Sequence, residues 1–365
     1  MKKILVSIVS DQTIPNILFI RETSLVDMFY FITTELMEKR GKSGAIIEAC
    51  NIAEGKYQLI SVTEDSINDI EEKLQTIDFA DQDKIIVNLT GGTKIMAIGT
   101  YNYFQKYGAS IYYIPIEKNA YTKLYPTVKS RTTRLNYRIS LLEYLKGYGI
   151  RVSPKGIKSM KTVFMAPDYT EYFLDSYLNF NDGDKKLIEQ LRKNFRGKQI
   201  ENIDSVKGLS MFLKKINFPL QKNTYLNKPE IKYLTGDWFE EYCFSKIKEI
   251  AGFPDDAIGT GVNIFKGDVQ NEIDIMFVKN NSLHIIECKT DIADTSEGDI
   301  SYLFLNTLYK AAALRQNFGL RVNYYVFALN NFDNLKKNQK DRAKMLRINI
   351  LGAETLAAPE KFDEE

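Results

Sequence analysis

The sequence predicts an α/β protein with two sheet-containing units. Two observations carry that reading. Over residues 1 to 115, short apolar runs alternate with helical patterns, the signature of an open, mostly parallel sheet with helices on both faces. From about residue 229 the order becomes helix, hairpin, helix, strand, which suggests a small α/β domain of its own. The 365 residues suffice for two or three domains with ample core.

Taken in order, strands are expected over 4–9, 25–31, 57–62, 85–89 and 111–114, with helices between them. The clearest helix spans 93–107, with apolar spacing Ile95, Ile98, Tyr101 and Gly108 at its C-cap. Residues 135–226 read as a mostly helical connection. Within it, "ISLLEYLKGYG" is a connecting helix closed by glycine and "KKLIEQLRKNF" an amphipathic one. The last unit is expected to hold a helix over 238–250, a hairpin over 272–289, a helix over 301–317 and a strand over 323–328. The boundaries are then 1–134, 135–226 and 227–365.

Composition narrows the chemistry. Hydrophobic residues make up 44% and charged residues 26%, ordinary for a soluble globular protein. No run approaches membrane length, so no membrane partner and a cytoplasmic location are expected. Residues 131–232 carry 20 Lys/Arg against 10 Asp/Glu, a local excess of +10 that fits a nearby polyanion or a solvated helical face. Cys50, Cys243 and Cys288 are odd in number and widely spaced, which argues against a disulfide framework and a structural zinc site. With a single histidine, His284, a His–His ribonuclease pair and an HExxH zinc site are excluded.

Two strand-to-helix turns in the first unit suit an anionic ligand. One follows the first strand and reads "SDQTIPN", residues 10–16; the other follows "IIVNL" and reads "TGGTK", residues 90–94. Glycines there let backbone approach a ligand, the helix N-terminus favours an anion, and Lys94 adds charge. In the common strand order 3-2-1-4, strands one and four are neighbours where the order reverses, and both loops overhang one crevice.

The stretch "NEIDIMFVKNNSLHIIECK" carries the second site. With Asn280–Asn281 as a two-residue turn, Lys279 pairs with Ser282 and, counting outward, Asp274 with Glu287, their Cβ atoms about 5 Å apart. Period-2 alternation puts Lys289 on the same face, with His284, Ile286 and Cys288 on the other. Opposed carboxylates repel unless a cation lies between them, and two carboxylates with a lysine suit metal-assisted phosphodiester hydrolysis. In "DWFEEYCFSKI", Glu240 shares the apolar stripe of Cys243, Phe244 and Ile247, so it is the expected third carboxylate, while Glu241 is expected on the solvent face. Lys310 in "NTLYKAAALRQ" is a weaker candidate for phosphate contact.

These residues carry a resemblance. "EIDIMFV…HIIECK" behind a "GDWFEEY" helix resembles the PD-(D/E)xK restriction-endonuclease-like core, with isoleucine at 273 in place of the proline. "SDQTIPN" and "NLTGGTKIM" resemble the CARF domain, a Rossmann-like sensor of cyclic oligoadenylates. In this order the two are similar to the CARF nuclease effectors of type III CRISPR systems. The resemblance implies a homodimer that binds cyclic tetra-adenylate across its two-fold axis. It implies a Mg²⁺- or Mn²⁺-dependent nuclease that cleaves single-stranded RNA or DNA and can nick duplex DNA in antiviral defence. It assigns ligand contacts to Ser10, Asp11, Gln12, Thr13, Asn16, Thr90, Gly91, Gly92, Thr93 and Lys94. It assigns catalysis to Glu240, Asp274, Glu287 and Lys289, with Glu240, Asp274, Glu287 and the Cys288 carbonyl on the metal. Two alternatives are a CARF-type regulator without catalysis and a DNA-repair or junction-resolving nuclease. With no catalytic group in the first unit and no ligand loop in the last, coupling is expected to pass through 135–226 or across the dimer.

Overall fold

The computed structural model describes residues 1–352, apart from 116–117, 127–131, 154–162, 196, 221–223, 291–300, 330–334 and 336. Its first half alternates β1 (Lys3–Ile8), α1 (Ile14–Glu22), β2 (Met28–Thr33), α2 (Glu35–Lys39), α3 (Lys42–Cys50), β3 (Tyr57–Ser61), α4 (Ile67–Leu74), β4 (Lys84–Asn88), α5 (Lys94–Lys106) and β5 (Ser110–Tyr113). Two further strands, β6 (Ala120–Tyr125) and β7 (Thr132–Arg134), complete a sheet of order β3-β2-β1-β4-β5-β6-β7. The first five strands are parallel and the last two antiparallel. The expected order 3-2-1-4 therefore holds, and β1 and β4 are neighbours at the switch point.

Helix α5 turns a different face inward from the one its sequence spacing suggested. Met96, Thr100, Tyr103 and Phe104 are buried, and Ile98 is 51% exposed. The reason lies in α4, which packs against α5: Gly99 sits so close to Ile70 that an added Cβ would lie 3.1 Å from it. Gly99 forms the close contact, while Ile95 and Tyr101 are only partly buried against the same core.

The chain continues through α6 (Leu141–Gly147), β8 (Arg151–Val152), α7 (Pro167–Leu178), α8 (Asp182–Phe195), α9 (Leu209–Lys215), α10 (Lys228–Lys232) and α11 (Trp238–Ala251). Next come β9 (Ile258–Lys266), β10 (Val269–Lys279), β11 (Ser282–Lys289), α12 (Ser301–Arg315), β12 (Val322–Ala328), α13 (Lys337–Met345) and β13 (Ile348–Leu351). The second sheet has the order β13-β12-β11-β10-β9-β8, antiparallel from β8 to β11 and parallel from β11 to β13. The connecting residues do not stand apart. β8 joins this sheet, and α7, α8 and α9 share an apolar cluster with α11 on one of its faces, through Phe173, Leu191 and Phe212 against Trp238 and Phe244.

The other face of the second sheet, with Met276, Ile285 and Phe304, is continuous with the α1 side of the first through Ile17, Phe31 and Tyr144. This explains why every residue from Ile14 to Ile20 is buried: α1 lies between two apolar surfaces, and a helix apolar all round belongs inside. Helix α6 is wedged alongside it. A Cβ on Gly147 would lie 2.4 Å from Ile17, and the Thr13 hydroxyl donates to the Gly147 carbonyl. Across the junction, the Tyr144 hydroxyl lies 3.0 Å from the Phe318 and Arg321 carbonyls. Asn281, at the hairpin tip, is fully buried; it accepts from Ile139 N–H at 2.9 Å and donates to Asn119 Oδ1 at 2.6 Å and the Tyr137 carbonyl at 3.0 Å.

Candidate functional sites

The loops after β1 and β4 form an open crevice of about 360 Å³ at the switch point. Ser10, Asp11 and Gln12 line it from one side and Thr90, Gly91, Gly92 and Thr93 from the other. Gly91 (φ 125) and Gly92 (φ 68) hold backbone that side chains rarely adopt. The approach is also too close for any side chain: a Cβ on Gly91 would lie 2.9 Å from Ser10 Oγ, and one on Gly92 2.5 Å from Ile8. Thr93 caps α5, accepting from Met96 N–H at 3.1 Å, so the N-terminal N–H groups of α5 open onto this region. Asp11 is paired with Arg40 at 2.6 Å and Lys42 at 3.4 Å, so two cations sit at the rim.

Three of the expected ligand residues do not line the crevice. Thr13 and Asn16 are fully buried beneath it; Asn16 Nδ2 donates to Ser7 Oγ at 2.9 Å and the Ile8 carbonyl at 2.8 Å, and so fixes α1 to β1. Lys94 is exposed on the first turn of α5, outside the lining. Conversely, Thr34, Met37 and Glu64 line the crevice although sequence reasoning passed over them. The available signal was the third parallel strand: the loops after β2 and β3 end at the same edge of the sheet as those after β1 and β4.

The hairpin turns at Asn280 (φ 51) and Asn281 (φ 60), with Lys279 opposite Ser282 and Ile275 opposite Ile286. The next pair outward is Asp274 and Glu287. Asp274 Oδ2 accepts the Cys288 backbone N–H at 2.7 Å. Lys289 Nζ lies 2.7 Å from Glu287 Oε1 and 3.9 Å from Asp274 Oδ2. Lys310, from α12, reaches the same Glu287 oxygen at 3.4 Å. Glu287 is 4% exposed, and its other oxygen, Oε2, has no hydrogen-bond partner among the described residues. Burial, reinforced by the Glu287 charge, pushes the Asp274 carboxyl up to about 7. Burial works against the Lys289 ammonium, yet Asp274 and Glu287 outweigh it and raise its pKa.

The third carboxylate is less simply placed. Helix α11 packs on the face of Ile275, Ile286 and Cys288, opposite the face shared by Met276 and Ile285. Glu240 is half-buried on α11, and its charge acts on Lys232 and on the Cys288 thiol. No group of three or more His, Cys, Asp and Glu side chains at metal-holding spacing occurs among the described residues. Glu241, expected on the solvent face, is only 2% exposed and accepts the backbone N–H groups of Phe164 at 2.8 Å and Met165 at 3.2 Å. The segment before α7 covers that side of α11, which helical periodicity cannot foresee. His284 stacks between Phe277 and Tyr325, and burial lowers its pKa to about 4.

Comparison with known proteins bears on both sites. Residues 4–144 match the model of the Card1 CARF domain, and residues 227–362 match that of the Card1-like endonuclease domain. The chain belongs to the Card1-type CARF nucleases. No curated protein matches its sequence. Among solved structures, the CARF nuclease is similar to Can2 from Sulfobacillus thermosulfidooxidans in complex with cyclic tetra-adenylate, at 19% identity and TM-score 0.72, covering 98% of this chain and 97% of that one. It is similar to protein VC1899 from Vibrio cholerae, at 20% identity and TM-score 0.74, covering 99% and 96%. A type III CRISPR defence DNA nuclease activated by cyclic oligoadenylate matches at 13% identity and TM-score 0.55, covering 94% of this chain and 52% of that one. At these identities the likeness is one of fold, and it extends over both halves of the CARF nuclease together.

Proposed function

We propose that the protein is a metal-dependent endonuclease switched on by cyclic tetra-adenylate in the β1–β4 crevice. It acts as a homodimer on single-stranded RNA or DNA, and nicks duplex DNA, in type III CRISPR defence. The observation that carries this reading is the opposed Asp274–Glu287 pair with Lys289 between them, in a chain whose other sheet holds an anion-suited crevice. The ligand is supported by the similar fold of a protein described in complex with cyclic tetra-adenylate.

Asp274 and Glu287 would hold Mg²⁺ or Mn²⁺, with Glu240 and the Cys288 carbonyl as candidate further ligands. The donors suit a hard cation: Glu287 Oε2 is buried without a hydrogen-bond partner among the described residues, and burial beside the Glu287 charge raises the Asp274 pKa. A divalent ion there polarises a phosphate and lowers the pKa of bound water. The chain supplies the rest. Lys289, charged at neutral pH, stabilises the negative charge that develops on the phosphate, and Lys310 offers a second cation from α12.

The test is cleavage of single-stranded RNA and DNA with Mg²⁺, Mn²⁺ or EDTA, with and without cyclic oligoadenylates of each ring size. Cleavage should require metal and the cyclic tetramer, and should vanish in Glu287→Gln while ligand binding persists. Undiminished cleavage in EDTA contradicts the metal role.

A further inference from the structure

We infer that Gln12 ties the sensor to the nuclease of its own chain: the cyclic nucleotide and the Leu320 amide compete for its side chain, so ligand binding frees the α12–β12 turn. This rests on the function proposed above and deepens it, because it concerns how one site regulates the other.

Gln12 lines the crevice, yet its side-chain oxygen is committed to the other domain. Oε1 accepts the Leu320 backbone N–H at 2.9 Å and lies 3.2 Å from the Tyr148 hydroxyl. The approach is tight. Gly319 (φ 81) is so close that an added Cβ would lie 1.9 Å from the Tyr148 oxygen and 2.8 Å from Gln12 Oε1. Two residues earlier, Asn317 is held by Lys266 of β9 at 3.0 Å.

Both elements leaving this turn end at the catalytic hairpin. Back along the chain, α12 carries Lys310 to Glu287 Oε1 at 3.4 Å. Forward, β12 pairs in parallel with β11, placing Val326 beside Glu287 and Ala328 beside Lys289. A displacement of 317–320 therefore moves a lysine that shares Glu287 and the strand that supports it. On the sensor side, Gln12 lines the crevice in the same loop as Ser10, which faces Gly91 of the β4 loop, so a ligand filling the crevice bears on residues 10–12. A side chain that hydrogen-bonds the ligand in one arrangement and Leu320 in another is a two-state element that both sites bias. The direct contact offers a route beside those expected through 135–226 or across the dimer.

The experiment compares wild type, Gln12→Ala and Tyr148→Phe, the last keeping the ring and lying outside the crevice lining. Cleavage is measured with and without cyclic tetra-adenylate, ligand affinity by calorimetry, and Leu320 amide exchange in a Glu287→Gln background. Removing the tie should raise ligand-independent cleavage about tenfold in Gln12→Ala, and by less in Tyr148→Phe, within the range typical of couplings between sites. The ligand should speed exchange at Leu320 in the Glu287→Gln protein, and Gln12→Ala should make that exchange fast throughout. Ligand-independent cleavage at the wild-type rate in both variants, or Leu320 exchange indifferent to ligand, overturns the tie. Wild-type protein that binds cyclic tetra-adenylate but cleaves no faster overturns the proposed activation instead.

Discussion

The Cys288 backbone N–H donates to Asp274 Oδ2 at 2.7 Å, which holds this carboxylate against β11 beside Glu287. Asparagine at 274 still offers an oxygen to that N–H but carries no charge. Asp274→Asn should therefore fold and lose cleavage by about 100-fold or more. Its stability should change with a definite sign. The native carboxyl, near 7, holds a proton that the unfolded chain releases between about pH 4 and 7, so this group's contribution falls as pH rises through that window. In EDTA, Asp274→Asn should melt higher than wild type at pH 8, and the two should converge near pH 4.

Lys289 and Lys310 meet one oxygen of Glu287, but not equally. Lys289 is closer, at 2.7 Å against 3.4 Å, and less exposed. Removing it should cost about 100-fold in rate and removing Lys310 about tenfold, with ligand affinity unchanged in both. Equal losses would assign the two lysines the same role.

At the crevice, geometry ranks two substitutions. Gly91→Ala forces a side chain against Ser10 in a left-handed conformation, so cyclic tetra-adenylate affinity should fall about tenfold or more. Lys94 is exposed, so Lys94→Ala should cost only a few-fold, and that loss should shrink with added salt. Titration calorimetry at two salt concentrations separates them.

His284 gives a single imidazole signal in a protein with one histidine. Burial between Phe277 and Tyr325 lowers its pKa to about 4, below its unfolded value. Stability from this neutral ring is complete above about pH 6.5 and is lost as pH falls toward 4, about 3 kcal/mol in all. Its NMR resonance should stay fixed from pH 8 to 5.5.

What was legible in the sequence follows physical range. The Asn280–Asn281 turn sets the hairpin register from local chemistry, so Asp274, Glu287 and Lys289 were within reach of counting. The β1–β4 adjacency followed from a general rule of parallel sheets. The face of α5 was not legible, because Gly99 and Ile70 meet only when α4 packs. Nor was the burial of Glu241, which depends on backbone more than seventy residues away. Gln12 was marked as a ligand contact; its bond to Leu320 spans 308 positions and leaves no local trace.

Asn281 gives the hairpin a plug-and-socket character. The plug belongs to the endonuclease match that begins at residue 227, while its three partners, Asn119, Tyr137 and Ile139, fall inside the CARF match that ends at residue 144. A chimaera cut at those family boundaries separates every one of these bonds from its mate. A foreign sensor would then seat a buried amide against strangers, at about 1–3 kcal/mol for each group left unmet. Recombination between relatives, natural or engineered, has to carry the socket across with the plug.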